Sequence, residues 1–110
     1  MPWLPGGVAD ALADFRRGLT GRFGDRVEVI TLFGSYARGD FAAESDVDVL
    51  VVVRGLTWQE RREVFDLAYD VYAERLVDLS PLAMSSSEWA EQERREVLLA
   101  ADIEREGVAV

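Results

Sequence analysis

Asp46 and Asp48 stand one residue apart at the head of an apolar run, Val47 to Val53. In an extended strand, residues i and i+2 share a face, so the two carboxylates point the same way. Like charges held side by side drive their pKa values apart unless something positive sits between them. A divalent metal is the simplest such partner. The chain has no histidine and no cysteine, which excludes disulfides, imidazole or thiolate zinc sites and Ser-His-Asp hydrolysis together. Any metal is therefore held by oxygen, favouring Mg²⁺ or Mn²⁺. Any proton acceptor is a carboxylate, unless another subunit supplies it.

Two further features could join that pair. Gly34 and Ser35 close the β-branched and aromatic run Val27 to Phe33. A glycine there lets backbone approach a ligand closely, and the hydroxyl and turn N–H groups could hold a phosphate. Asp78 lies inside Leu76-Val77-Asp78-Leu79, where an isolated ionised aspartate is costly unless paired or metal-bound. If that run pairs with Val47 to Val53, three carboxylates meet, a set that fits two metal ions. Each residue alone has an ordinary reading. Gly34-Ser35 is a generic turn and Asp46/Asp48 a solvated strand start. Asp78 could pair with Arg38, Arg75 or a loop N–H, and Arg38 could bridge Asp40 or Glu44 at the surface. Only the combination in this order overturns these readings.

The elements that must position these residues follow from periodicity. Val8, Leu12, Phe15, Leu19 and Phe23 recur at helical spacing, predicting an amphipathic helix that ends near Gly21 to Gly24. Val27 to Phe33 reads as a strand. Ala37 to Gly39 reads as a helical turn and Asp40 to Glu44 as a loop. Asp46 to about Arg54 is apolar on both faces, as in a central strand. Thr57-Trp58-Gln59-Glu60 has the form of a capping box opening a helix to about Glu74. Leu76 to Leu82 is a third strand, placed at an edge or strand end by Pro81. Ser85 to Glu88 offers a second capping box. The last helix, with a break near Glu91 to Glu96, stops at Gly107 as a C′ residue. The expectation is one α/β (α+β) domain over residues 1–110, a small mixed β-sheet of three or so strands flanked by helices.

Charge and hydropathy narrow the partners. The formal net charge of −9 lacks the basic footprint of a protein that grips long nucleic acid, and a nucleotide should arrive with its metal. No apolar run approaches the roughly 20 residues of a membrane span, and the first residues lack signal-peptide features. A cytoplasmic location is expected.

Gly34-Ser35-Tyr36-Ala37-Arg38-Gly39, followed by Ser45-Asp46-Val47-Asp48, closely resembles the signature of nucleotidyltransferases with the DNA polymerase β-like fold. The Gly-Ser-x-Ala-Arg-Gly form and the short length resemble the minimal nucleotidyltransferases, the MNT group, which includes antitoxins paired with HEPN-domain toxins. The resemblance implies that Gly34 and Ser35 hold the triphosphate of ATP, with Arg38 on phosphate or loop. It implies that Asp46 and Asp48 bind two Mg²⁺ ions, and that Asp78 binds the catalytic ion and orients or deprotonates the acceptor hydroxyl. The reaction would be in-line attack of that hydroxyl on the α-phosphate. With no substrate domain visible, the acceptor is expected on a partner protein, a HEPN ribonuclease in the toxin–antitoxin version. The alternatives are a binding antitoxin with a vestigial site, and a stand-alone transferase for a small molecule such as an aminoglycoside. Homo- or hetero-oligomers are compatible with each. Trp3, Trp58 and Trp89 are candidate interface residues.

Overall fold

Burial of one apolar stripe builds the first element. In the computed structural model, which describes residues 2–110, helix α1 spans Gly6–Phe23 and buries Val8, Ala11, Leu12, Phe15, Leu19 and Phe23. A 3₁₀ turn at Gly24–Arg26 leads into strand β1, Val27–Phe33. A single helical turn, α2, Ser35–Arg38, and a loop follow. Strand β2, Val47–Val53, then returns antiparallel to β1, with Phe33 opposite Asp48. Helix α3, Trp58–Arg75, carries the capping box in full, with Thr57 and Glu60 each satisfying the other's backbone N–H. Arg26 locks that corner, donating to both Glu60 carboxylate oxygens at 2.8 Å and to the Arg54 carbonyl at 2.9 Å.

Strand β3, Leu79–Ser85, pairs parallel to β2 with Val47 level with Leu79 and Asp48 level with Ser80. The last helical region divides into α4, Ser86–Arg94, and α5, Leu98–Glu106. Glu96 between them takes a positive φ of 53°. The second capping box, Ser85 with Glu88, is present. A fourth strand, β4, Val108–Ala109, pairs antiparallel to β1. The sheet order is β3-β2-β1-β4, a mixed four-stranded sheet with β2 inside it.

Strand alternation divides β2 between two cores. Val47, Val49, Val51 and Val53 pack with the apolar stripes of α1 and α3, including Phe15, Leu19, Val64 and Ala68. Leu50 and Val52 pack with Ile103 of α5, Trp89 of α4 and Leu82. Helices therefore cover both faces. Residues 49–53 are each at most 1 % exposed, and burying such side chains contributes about 1.5–3 kcal/mol each. Asp48 has the parity of Leu50, so it belongs to the α4/α5 side of the sheet.

The structure moves two expected strand starts and changes the part played by Gly107. The third strand begins at Leu79 rather than Leu76, because α3 continues to Arg75 and caps on Leu76 in a left-handed conformation, φ 57°. Asp78 is therefore an exposed residue just ahead of β3 and not one inside an apolar strand. Asp46 likewise precedes β2 and is exposed. Gly107 does not adopt the left-handed C′ conformation, having φ −67°. Its lack of a side chain serves close packing instead, since a Cβ there would fall under 3.0 Å from both the Ile103 carbonyl and Thr31 Cγ2. That approach brings β4 against β1.

Candidate active site

The closest approach in the site is between Gly34 and Asp48. Gly34 has φ 74° and ψ −155°, a region essentially confined to glycine. A Cβ built on it would lie under 3.0 Å from Asp48 Oδ2 and 3.3 Å from Asp48 Cγ. Antiparallel pairing of Phe33 with Asp48 places the carboxylate at the strand end, so it lies over bare backbone. The glycine thus does two things: it turns the chain into α2, and it makes room for the carboxylate. Within the turn, Ala37 and Arg38 N–H donate to the Gly34 carbonyl, and Gly39 and Asp40 N–H to that of Ser35. The N–H groups of Ser35 and Tyr36, at the start of the turn, have no intrahelical acceptor.

Parallel pairing supplies the rest. Val47 N–H donates to the Asp78 carbonyl at 3.0 Å, so the β2/β3 register continues one step back and sets Asp46 beside Asp78. Both line a cleft of about 540 Å³ whose walls include Tyr36, Phe41 and Ser45, within the size range of small-ligand sites. Burial and the neighbouring Asp46 charge raise the Asp48 pKa above the ordinary carboxylate range, and Arg38 partly offsets them. Burial is the larger cause and repulsion by Asp46 the smaller, and a cation between the two carboxylates would relieve the latter. The donors are all oxygen, as a hard divalent cation requires. Among the described residues, no three acidic side chains already form a group that could hold a metal ion.

Arg38 faces acids on two sides. Its Nε donates to Asp40 at 3.1 Å and its Nη1 to Glu106 of α5 at 3.3 Å, so Asp40, and not Glu44, takes the local bridge. Arg75 pairs with Asp14 at 2.5 Å and with Asp10, leaving neither arginine on Asp78. Of the three tryptophans, Trp89 packs partly buried against the second core, whereas Trp58 is 65 % exposed. Trp3 lies over the glycine turn, its indole N–H donating to the Tyr36 carbonyl at 2.7 Å.

Several residues around the site have a role there that the sequence barely signals. Tyr36 and Phe41 stack with ring centroids 4.2 Å apart, Trp3 clamps Tyr36, and Ser80 is brought level with Asp48 by the β3 register. An aromatic at each end of a polar loop is the only trace that could have drawn notice, and it is a faint one.

Comparison with known proteins agrees with this architecture. Residues 12–109 match the nucleotidyltransferase domain family. Similar curated proteins come from Methanocaldococcus jannaschii and carry a provisional name as protein adenylyltransferases. One is 36% identical over 62 residues, covering 56% of this chain and 63% of the relative. A second is 48% identical over 42 residues, covering 38% of this chain and 42% of the relative. The chain thus spans less than two thirds of the length of these relatives. Among solved structures, a toxin–antitoxin crystal structure with AMP-PNP aligns with a TM-score of 0.59 at 19% identity, covering 86% of this chain and 68% of that one. A nucleotidyltransferase from Sulfolobus solfataricus, also provisionally assigned, aligns at 0.50 and 17% identity, covering 96% and 86%. At these identities the structural likeness speaks for the fold.

Proposed function

This chain belongs to the nucleotidyltransferase domain family, and on that premise we propose that it transfers AMP from Mg²⁺-bound ATP to a hydroxyl of a partner protein. The observation that carries the reading is the seat of Asp48 over Gly34, which sets one of the paired carboxylates against the glycine turn; the place of Asp78 next to Asp46 supports it. Asp46, Asp48 and Asp78 would hold two Mg²⁺ ions, which when bound neutralise polyphosphate charge and make the acceptor hydroxyl easier to ionise.

The chain's own groups do the positioning. Gly34 admits the phosphate chain to the backbone, and the Ser35 hydroxyl and the first N–H groups of α2 donate to its oxygens. Arg38, already close enough to Asp48 to influence it, exchanges an acid partner for phosphate. Asp78, exposed at the cleft mouth, accepts the acceptor's proton. The acceptor oxygen bonds to the α-phosphorus as the bond to the β-phosphate bridge breaks, and pyrophosphate leaves. Holding those groups in line supplies much of the rate.

The partner in this reading is a HEPN ribonuclease toxin, which the transfer silences. The partner comes from the family resemblance of the Gly-Ser-x-Ala-Arg-Gly motif, and the toxin–antitoxin structure of the same fold was solved with AMP-PNP. Incubation with α-³²P-ATP, Mg²⁺ and the co-expressed partner tests it. Label should appear on the partner and vanish with Asp46→Ala; no label on any protein would sink the catalytic reading. A second reading, neutralisation by binding alone, is favoured by the absence of a ready three-acid group among the described residues. Unchanged neutralisation by Asp46→Ala/Asp48→Ala would select it.

A further inference from the structure

Helix α3 has a second face that the core does not use. Val64, Ala68 and Val71 are buried, but Trp58, Phe65, Tyr69, Tyr72 and the capping Leu76 are 65 %, 48 %, 70 %, 45 % and 77 % exposed. Steps of seven, four, three and four residues keep them on one side of the helix. Single exposed apolar residues are ordinary, but Phe65, Tyr69, Tyr72 and Leu76 in succession, with Trp58 beyond the exposed Arg62, mark an interaction surface. Between this stripe and β3 runs a groove of about 350 Å³, walled by Phe65, Tyr69 and Tyr72 on one side and Leu79 and Pro81 on the other, with Asp78 at its end.

We propose that this face docks the acceptor protein, a basic segment of a different polypeptide with an apolar anchor beside its reactive hydroxyl. The inference rests on the transfer reading above. Position argues for an acceptor. The groove lies on the α3 side of the sheet and Asp48 on the other, but β3 is the edge strand. Asp78 at its head touches both the groove and the cleft with Asp46. A segment seated in the groove passes over the open edge at Asp78 and the exposed Ser80 and reaches the carboxylates.

Size and charge select the occupant. The eighteen residues of helix from Trp58 to Arg75 span roughly 27 Å at 1.5 Å per residue, the breadth of a protein interface and far more than a small molecule covers. Aromatic residues are the usual anchors of such interfaces. Asp66 and Asp70 flank the stripe and Asp78 ends the groove, the exposed Arg62 lies among the stripe's own members, and the whole chain carries −9. A second copy would bring together two chains of net charge −9, whereas a basic segment is matched to that charge. Addition of a strand is disfavoured. Since Asp78 turns its carbonyl to β2, alternation turns the backbone of Leu79, Pro81 and Ala83 outward. Pro81 offers no N–H there, and Arg61 Nε already occupies the Ala83 carbonyl at 3.1 Å. Docking is by side chains of α3.

A photo-crosslinking amino acid placed at Tyr69, or in a separate variant at the exposed Leu98 of α5, is activated in the host cell. The protein captured at Tyr69 is identified and purified. It is then titrated against the parent chain, Tyr69→Asp and Phe65→Ser, with thermal melts to show that the variants fold, and incubated with α-³²P-ATP and Mg²⁺. Capture of one protein at Tyr69 and not at Leu98 is expected, with binding and labelling of that protein at least tenfold weaker for either variant. Capture of a second copy of this chain, equal capture at Leu98, or binding unchanged by both variants overturns the proposal. The two readings separate cleanly. A partner that needs Tyr69 to bind but never takes label leaves the docking face standing and sinks the transferase. Labelling indifferent to Tyr69→Asp and Phe65→Ser keeps the transferase and removes the docking face.

Discussion

Replacing Gly34 with alanine adds one methyl group at the most crowded point of the site. The backbone there, φ 74° and ψ −155°, costs a non-glycine residue on the order of 1–3 kcal/mol. The new Cβ also meets Asp48 Oδ2 under 3.0 Å, so the carboxylate must retreat by more than ~0.4 Å to reach the 3.4 Å at which ordinary contact begins. Misplacement of a reacting group by ~1 Å costs about a hundredfold in rate, so a ten- to hundredfold loss of AMP transfer is expected. The melting temperature should fall by several degrees, at about 4 °C or more per kcal/mol for a domain of this size. Two controls locate the cause. Gly21→Ala, in α1 with nothing within 4 Å of its new Cβ, should stabilise by about 0.5–1 kcal/mol. In an Asp48→Ala background, Gly34→Ala should cost less than in the parent, since the clashing oxygen is gone and only the backbone strain remains. Thermal melts of all five proteins read the stability effects, and label transfer by the three that keep Asp48 reads the loss of rate. If Gly34→Ala melts and transfers AMP like the parent, or costs the same with and without the Asp48 carboxylate, the coupling of turn and carboxylate is refuted.

Asp48→Asn should melt higher than the parent at pH 7 in EDTA and lose Mg²⁺-nucleotide binding. The Asp48 pKa is raised by burial and by Asp46, so its charged form costs stability above that raised value. The gain should shrink as pH falls and Asp48 protonates; equal melting at pH 7 would contradict this. Glu60 behaves oppositely. Its hydrogen bonds from Arg26 and the Thr57 N–H hold its pKa at about 2 against an ordinary 4.5. Its contribution is full above 4.5 and fades as pH falls toward about 2, so Glu60→Gln should flatten that part of an acid-unfolding curve. Thr57→Ala removes the hydroxyl that accepts the Glu60 N–H at 3.1 Å and should lower stability by about 1 kcal/mol in denaturant titration.

Local rules made much of this protein legible from its residues alone. The α1 stripe, β1, the central β2 and both capping boxes follow from periodicity and short-range hydrogen bonding, which act within a few residues of chain. The same locality made Gly34, Ser35, Asp46 and Asp48 readable as one motif, because turn and strand are joined by a short loop. Absence of histidine and cysteine narrowed the chemistry before any fold was known. Tertiary structure decided what depends on pairing between distant segments. The β3 register, and with it the place of Asp78 beside Asp46 and of Ser80 beside Asp48, follows from which backbone groups of two remote strands meet. The two-residue β4 has too little pattern to announce itself and exists because Gly107 lets it approach β1. The exposed stripe of α3 looks, residue by residue, like core-facing sequence. Only packing shows that α1 and the sheet take the other side of that helix, leaving Phe65, Tyr69 and Tyr72 outside.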